Sequence, residues 1–166
     1  MKKHRIILNI GSNLGSKLKN IAVATKMLND KVEIVRVSKV YATDSLLQDS
    51  QERYFNVAIK GYTFLSPEEL LFFVKSIESK MGRISVERWG ARIIDIDIID
   101  YENEFFKSDQ LQIPHEGLSQ RVFFIYPLME IWPEYIFPDK ITKLNQLLKN
   151  IENMLNIKTL GELKWQ

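Results

Sequence analysis

The stretch Glu87-Arg88-Trp89-Gly90-Ala91-Arg92-Ile93-Ile94-Asp95-Ile96-Asp97-Ile98-Ile99-Asp100 organises the reading of the whole chain. Its second half alternates isoleucine with aspartate, the period of a β-strand, and β-branched isoleucine suits a pleated, half-buried surface. Successive strand side chains point to opposite faces, so Asp95 and Asp97 share one face and Ile94, Ile96 and Ile98 the other. Strand rise sets the two carboxylates roughly 6.5–7 Å apart at the backbone. Side chains at that separation can converge on one or two hard cations, since the ions of a two-metal site lie about 3.5–4 Å apart. Arg88 and Arg92 place permanent positive charge just upstream, Trp89 adds a flat apolar plate, and Gly90 permits a sharp bend between them. Carboxylates for magnesium beside arginines for phosphate oxygens are the equipment of phosphoryl transfer. The bare D-x-D equally fits a solvated sheet face with its isoleucines in the core. The arginines and the tryptophan beside it bring in the functional reading.

Working back from this strand, Arg83 to Arg92 is a long loop, preceded by the clearest helix. Ser66-Pro67-Glu68-Glu69 is a capping box with proline at the first helical position, Leu70, Val74, Ile77 and Met81 form the apolar stripe, and Gly82 ends it. Tyr54 to Tyr62 alternates as a strand, with Phe55, Val57 and Ile59 on one side and Tyr54, Asn56 and Ala58 on the other. Thr43 to Arg53 is long and polar, and structureless loops of this length are often functional. Val32 to Tyr41 reads as one strand. Ser16 caps a helix from Lys17 to about Asn29, with Leu18, Ile21, Ala24, Thr25 and Leu28 on one face. Ile6 to Ile10, an apolar run broken by Asn9, is the first strand and ends in the turn Gly11-Ser12-Asn13-Leu14-Gly15. That turn lacks the lysine of a P-loop, so it is a weak phosphate cradle.

Downstream, Asn103 to Ile113 suggests a small hairpin, and Pro114-His115 opens a loop. Leu118 to Ile131 is helical in part despite Pro127, and Leu144 to Leu155 is an amphipathic C-terminal helix. The order β-α-β-β-α-β, then hairpin and helices, predicts an α+β fold. It is a ferredoxin-like sandwich, an antiparallel sheet with a βαββαβ core and helices on one face. Such an architecture hosts many chemistries and assigns none.

The 166 residues fit a single domain over 1–166 with its own core, 45% hydrophobic and 27% charged. A net charge of +2 is too mild to argue for nucleic acid. The chain has no cysteine, which excludes disulfides, thiolate catalysis and cysteine zinc sites. No stretch is long enough to cross a bilayer, and the short apolar run after the basic first residues is no signal peptide. The expectation is a cytoplasmic monomer without nucleic-acid or membrane partners.

The segment Arg88 to Ile99 resembles the signature of the 6-hydroxymethyl-7,8-dihydropterin pyrophosphokinases, in their monofunctional form. Similar segments follow in order: Ile10-Gly11-Ser12-Asn13-Leu14, Tyr41-Ala42-Thr43, Tyr54-Phe55-Asn56, Ile77-Glu78 with Gly82-Arg83, Ile113-Pro114-His115, Arg121-Val122-Phe123 and Pro127 to Ile131. The resemblance covers nearly the whole chain. It implies transfer of pyrophosphate from ATP to the hydroxymethyl pterin, giving AMP and the pterin diphosphate. By the same resemblance Asp95 and Asp97 hold two Mg²⁺ ions. Arg83 and Arg92 join them in catalysis. Lys75, Glu78, Arg83, Trp89, Arg92, Ile98, His115 and Arg121 take ATP, and Thr43, Asp44, Leu46, Tyr54, Asn56, Trp89 and Phe123 surround the pterin.

Elementary chemistry supports these roles. A flat pterin stacks between Phe123 and a tyrosine or tryptophan, and Asn56, both donor and acceptor, suits its rim. Taken singly, Tyr54 and Phe123 read as core aromatics, Glu78 as a solvated helix face, His115 as a loop residue and Arg83 as a C-terminal helix cation. Asn56 is harder to dismiss, because a buried amide must be paired. The chain departs from the family at Asp44 and Ser45, where a proline-rich turn is common, and at Ser85, where a second arginine is frequent. Lys75 replaces a glutamine, and Gln110 and Glu116 replace an arginine and a tyrosine near the nucleotide. Two other functions fit less of the sequence. Another magnesium-dependent nucleotidyl or phosphoryl transferase would share Asp95 and Asp97 but release pyrophosphate. An RNA-binding module would stack bases on sheet aromatics, against which the acidic pair and small charge count.

Overall fold

The structure, a computed structural model, describes residues 2–44, 53–82, 92–151 and 156–166. Strands β1 (His4–Ser12), β2 (Val32–Val37), β3 (Val40–Thr43), β4 (Tyr54–Thr63), β5 (Asp95–Tyr101) and β8 (Ile157–Gly161) form one antiparallel sheet. Its order is β5-β1-β4-β3-β8, with β2 pairing β4 alongside β3. The strands β6 (Phe106–Lys107) and β7 (Gln112–Ile113) make the small hairpin expected between Asn103 and Ile113. With β2 and β3 counted as one interrupted strand, the βαββαβ order of an α+β sandwich is present.

Helices α1 (Lys17–Leu28) and α2 (Pro67–Lys80) cover one face, burying Ile21, Ala24, Leu28, Leu70, Val74 and Ile77 against Leu8, Ile10, Val57, Ile59, Ile96 and Ile98. The capping box of α2 forms as predicted, with Ser66 Oγ accepting from the Glu69 N–H and Glu69 Oε2 from the Ser66 N–H. Helices α3 (Val122–Ile131) and α4 (Leu144–Ile151) cover the other face, where Phe124, Ile125 and Leu128 meet Ile7, Ala58 and Ile99. The sheet is thus buried on both faces, not one. The apolar run Val122 to Ile131 requires this, since neither of its sides is polar enough to face water.

Other expectations are corrected in detail. The strand read over Val32 to Tyr41 is two, divided at Ser38-Lys39, because Ser38 Oγ and N–H bond to Ala58 across the gap. Leu18 and Val35 are exposed, and Ser16 makes no side-chain cap to α1. Strand β8, read as part of no element, adds an edge beside β3. Residues 152–155 of the expected last helix lie outside the described residues.

One irregularity positions the two ends of β5. Leu8 pairs with Ile98 but Ile7 pairs with Asp100, so Ile99 is an extra residue in β5. Alternation therefore slips. Ile99 and Asp100 both turn toward α3, and Tyr101 returns to the α1–α2 side. Asp100 is buried, with Oδ1 accepting from the Tyr135 hydroxyl at 2.9 Å and Oδ2 from the Asn103 N–H at 3.0 Å. Burial pushes its carboxyl above the ordinary range despite these bonds. Tyr135→Phe is expected to destabilise the fold by about 1.5–3 kcal/mol, the range for a hydrogen bond to a charged group. With its pKa raised, folded Asp100 holds a proton more tightly than the unfolded chain, so its contribution falls as pH rises out of the ordinary carboxylate range. The variant extends that loss upward, and urea unfolding should show a larger deficit at pH 7 than at pH 4.

Candidate active site

The candidate site is at the end of the sheet where β1 runs into its turn. Gly11 stands opposite Asp95 and Asn9 opposite Asp97. Ile96 and Ile98 are buried in the α1–α2 core while the two aspartates stay about a quarter open, at 24% and 22% exposure. The carboxylates therefore share one face, as strand alternation dictates.

Around Asp95 the turn after β1 acts as a brace. Arg92 Nη1 donates to Asp95 Oδ2 at 3.1 Å. The Arg92 backbone is held at both ends by Asn13, whose Oδ1 accepts from the Arg92 N–H at 2.7 Å and whose own N–H donates to Arg92 O at 3.2 Å. Asn20 Nδ2, on α1, lies 2.9 Å from Leu14 O and 3.3 Å from Ile93 O. The Gly11 to Gly15 turn, weak as a phosphate cradle, thus fixes the approach to β5.

Around Asp97 the charges are basic. His115 Nε2 lies 3.6 Å from Asp97 Oδ1, while its Nδ1 accepts from the Gly117 N–H at 3.0 Å. An accepting Nδ1 puts the ring proton on Nε2, which faces the carboxylate. Burial works to raise the Asp97 carboxyl, but His115, with the charges of Lys75 and Arg121, outweighs it and holds it below the ordinary range. An open pocket of about 460 Å³ adjoins, lined by Lys75, Asp97, Ile98, Gln110, His115 and Glu116.

Glu78 is not a solvated helix face. It is 2% exposed, its Oε1 accepts from the Ile96 N–H at 2.7 Å, and its carboxylate pairs with Lys75 at 3.0 Å. Strand β5 is at the sheet edge, and Glu78 satisfies a strand N–H that no neighbouring strand reaches.

On the side of β4, Thr43 and Asn56 are buried, and Tyr54 and Phe123 are half-buried. Thr43 pairs with Tyr54, and Asn56 stands opposite Gly11. A Cβ on Gly11 would meet Asn56 Oδ1 at 2.7 Å, so a larger residue there would have to displace the Asn56 amide. Arg121 lies over the Phe123 ring at 5.8 Å and packs on Gly117. Asp44 pairs with Arg53 at 2.9 Å and accepts from Asn156 Nδ2 at 3.1 Å, joining the two ends of the intervening segment.

The structure thus assembles Lys75, Ile98, His115 and Asp97 around one pocket and keeps Arg92 on Asp95. Leu46, Ser45, Arg83, Ser85, Arg88 and Trp89 lie outside the described residues. Composition and period do not distinguish Asn13 and Asn20 as site residues. Asn9 had a signal: an amide inside a buried apolar strand must find partners, the argument already applied to Asn56.

Among the described residues no three histidine or acidic side chains converge. Two carboxylates on one open face still suit Mg²⁺, which takes one or two protein carboxylates and fills its shell with water and substrate phosphate oxygens.

Residues 7–133 match the family described as 7,8-dihydro-6-hydroxymethylpterin-pyrophosphokinase. The 2-amino-4-hydroxy-6-hydroxymethyldihydropteridine pyrophosphokinase of Aquifex aeolicus is 38% identical over 133 residues, which cover 80% of this chain and 83% of that protein. The like-named protein of Haemophilus influenzae is 35% identical, covering 81% and 87%. The folic acid synthesis protein FOL1 of Dictyostelium discoideum is 39% identical over 92% of this chain, which spans only 23% of that longer protein. Among solved structures, Plasmodium falciparum HPPK-DHPS A437G with STZ-DHP superposes with a TM-score of 0.71 at 15% identity, over 90% of this chain and 45% of that one. That likeness is one of fold.

Proposed function

Because the chain belongs to the 7,8-dihydro-6-hydroxymethylpterin-pyrophosphokinase family, we propose that the Asp95/Asp97 end of its sheet is where ATP and the pterin react. The activity is transfer of the pyrophosphoryl group of ATP to the hydroxymethyl group of 6-hydroxymethyl-7,8-dihydropterin in folate synthesis. The observation that carries the placement is the shared open face of Asp95 and Asp97, with β1 between it and the buried amide of Asn56 on β4.

In this reading Asp95 and Asp97 hold two Mg²⁺ ions. Magnesium, when bound, neutralises phosphate charge and acidifies a coordinated hydroxyl. No strong protein base is then needed. The hydroxymethyl oxygen attacks the β-phosphorus and gives its proton to solvent, the bond from that phosphorus to the α-phosphate oxygen breaks, and AMP leaves. Lys75, Ile98 and His115 meet the nucleotide in the pocket beside Asp97, with Arg121 next to them. Arg92, and Arg83 with it, steady charge moving onto AMP. Glu78 acts on the nucleotide through the strand it secures. Phe123, with Tyr54 or Trp89, stacks the pterin, while Asn56 and Thr43 read its edge and Asp44 and Leu46 flank it. The proposal extends to a cytoplasmic monomer acting on small molecules, without nucleic acid or membrane.

A product assay tests this. With ATP, pterin and Mg²⁺, AMP is expected in step with pterin diphosphate, and excess chelator should stop both. Pyrophosphate as product instead would move the chain to nucleotidyl transfer.

A further inference from the structure

We propose that Asn9 is a positioning residue that sets which end of the Asn56 amide meets the ligand. It thereby gives the site its preference for a heterocycle edge that donates hydrogen bonds. The inference rests on the pterin site proposed above. Asn9 and Asn56 are buried on adjacent strands, at 2% and 3% exposure, with their nearest amide atoms 3.0 Å apart. An amide can turn either way round in outline, so its neighbours decide which end is nitrogen.

The neighbours of Asn9 are decisive. Its far end lies 3.2 Å from Phe123 O and 3.2 Å from Val57 O. Carbonyl oxygens only accept, so that end is the NH₂ group, and its two hydrogens match the two carbonyls. Phe123 O has a specific need for such a donor. It stands four residues before Pro127 within α3, and proline has no N–H to return to it. Asn9 supplies that missing donor from the sheet.

The rest follows by exclusion. Asn9 Oδ1 must face Asn56, so Asn56 must turn its own NH₂ toward it. The opposite end of the Asn56 amide is then the carbonyl oxygen. That buried end has no protein partner among the described residues. A buried acceptor without a partner is penalised until something donates to it. The pterin's ring N–H and 2-amino groups are donors of the required kind.

Two experiments decide it. In the ligand-free wild-type protein, NMR couplings across hydrogen bonds should run from Asn9 Nδ2 to the carbonyl carbons of Val57 and Phe123, and from Asn56 Nδ2 to Asn9 Cγ. A coupling from Asn9 Nδ2 to Asn56 Cγ, or none to Val57 and Phe123, overturns the proposal. In Asn9→Leu, KM for the pterin should rise about tenfold, the worth of one hydrogen bond, with kcat and KM for ATP within about twofold. Discrimination against 2-desamino and N3-methyl pterin analogues should shrink as the Asn56 amide becomes free to turn. Unchanged discrimination against both analogues also overturns it. If the wild type binds no pterin, the function reading fails instead, and the couplings still judge the amide orientation.

Discussion

Asp97→Ala is expected to lower AMP formation from ATP and the hydroxymethyl pterin by about a thousandfold or more. Removing a single preorganised charge-stabilising group from an active site costs roughly 10²–10³ in turnover. Asp97 does more than that in the proposed mechanism, because half of the carboxylate pair disappears with it. The variant also removes the anion that His115, Lys75 and Arg121 stabilise. The fold should survive, since the Asp97 side chain is 22% exposed and lines an open pocket. A change in unfolding free energy of about 1 kcal/mol or less is expected. Calorimetric titration with Mg²⁺ and a non-hydrolysable ATP analogue should show the loss directly. Undiminished turnover would overturn the metal assignment.

Glu78→Ala should be the most damaging change among residues that need not touch substrate, destabilising the protein by about 2–4 kcal/mol. Two interactions end at once. The Ile96 N–H loses its acceptor at the edge of β5, and Lys75 loses its counter-ion. An unpaired buried donor costs about 1–3 kcal/mol, and the ion pair adds less than a fully buried one because Lys75 is half exposed. Ile96 lies between the two aspartates, so freeing it loosens both, and turnover should fall by about a hundredfold. Glu78→Gln keeps the acceptor and should lose only about 1 kcal/mol. Urea unfolding and steady-state kinetics on both variants separate the roles. A raised KM for ATP with full stability would make Glu78 a nucleotide contact instead.

What was legible in the sequence was whatever local period controls. Strand alternation alone put Asp95 and Asp97 on one face, and the Ser66 to Glu69 capping box located the start of α2 to the residue. What escaped depends on partners distant in sequence. Glu78 looked solvated because helical periodicity does not reveal that a strand edge passes over it. Nothing in Val32 to Tyr41 shows the break at Ser38, which exists because Ala58 of β4 needs a partner there. Covering of the second face could have been foreseen from the near-uniform apolarity of Val122 to Ile131, which no one-sided helix would tolerate. Asn13 and Asn20 were hidden more deeply, since a loop amide is ordinary until the backbone it holds is known.

The surplus residue Ile99 has a wider meaning. Before it, odd-numbered side chains of β5 face the candidate site. After it, parity inverts, and Asp100 can reach Tyr135 beyond α3 while Tyr101 anchors the opposite layer. A single short strand is thereby spliced into two phases, a chemical head and a structural tail. Each can change its residues by its own rule, with one isoleucine as the joint that keeps them independent.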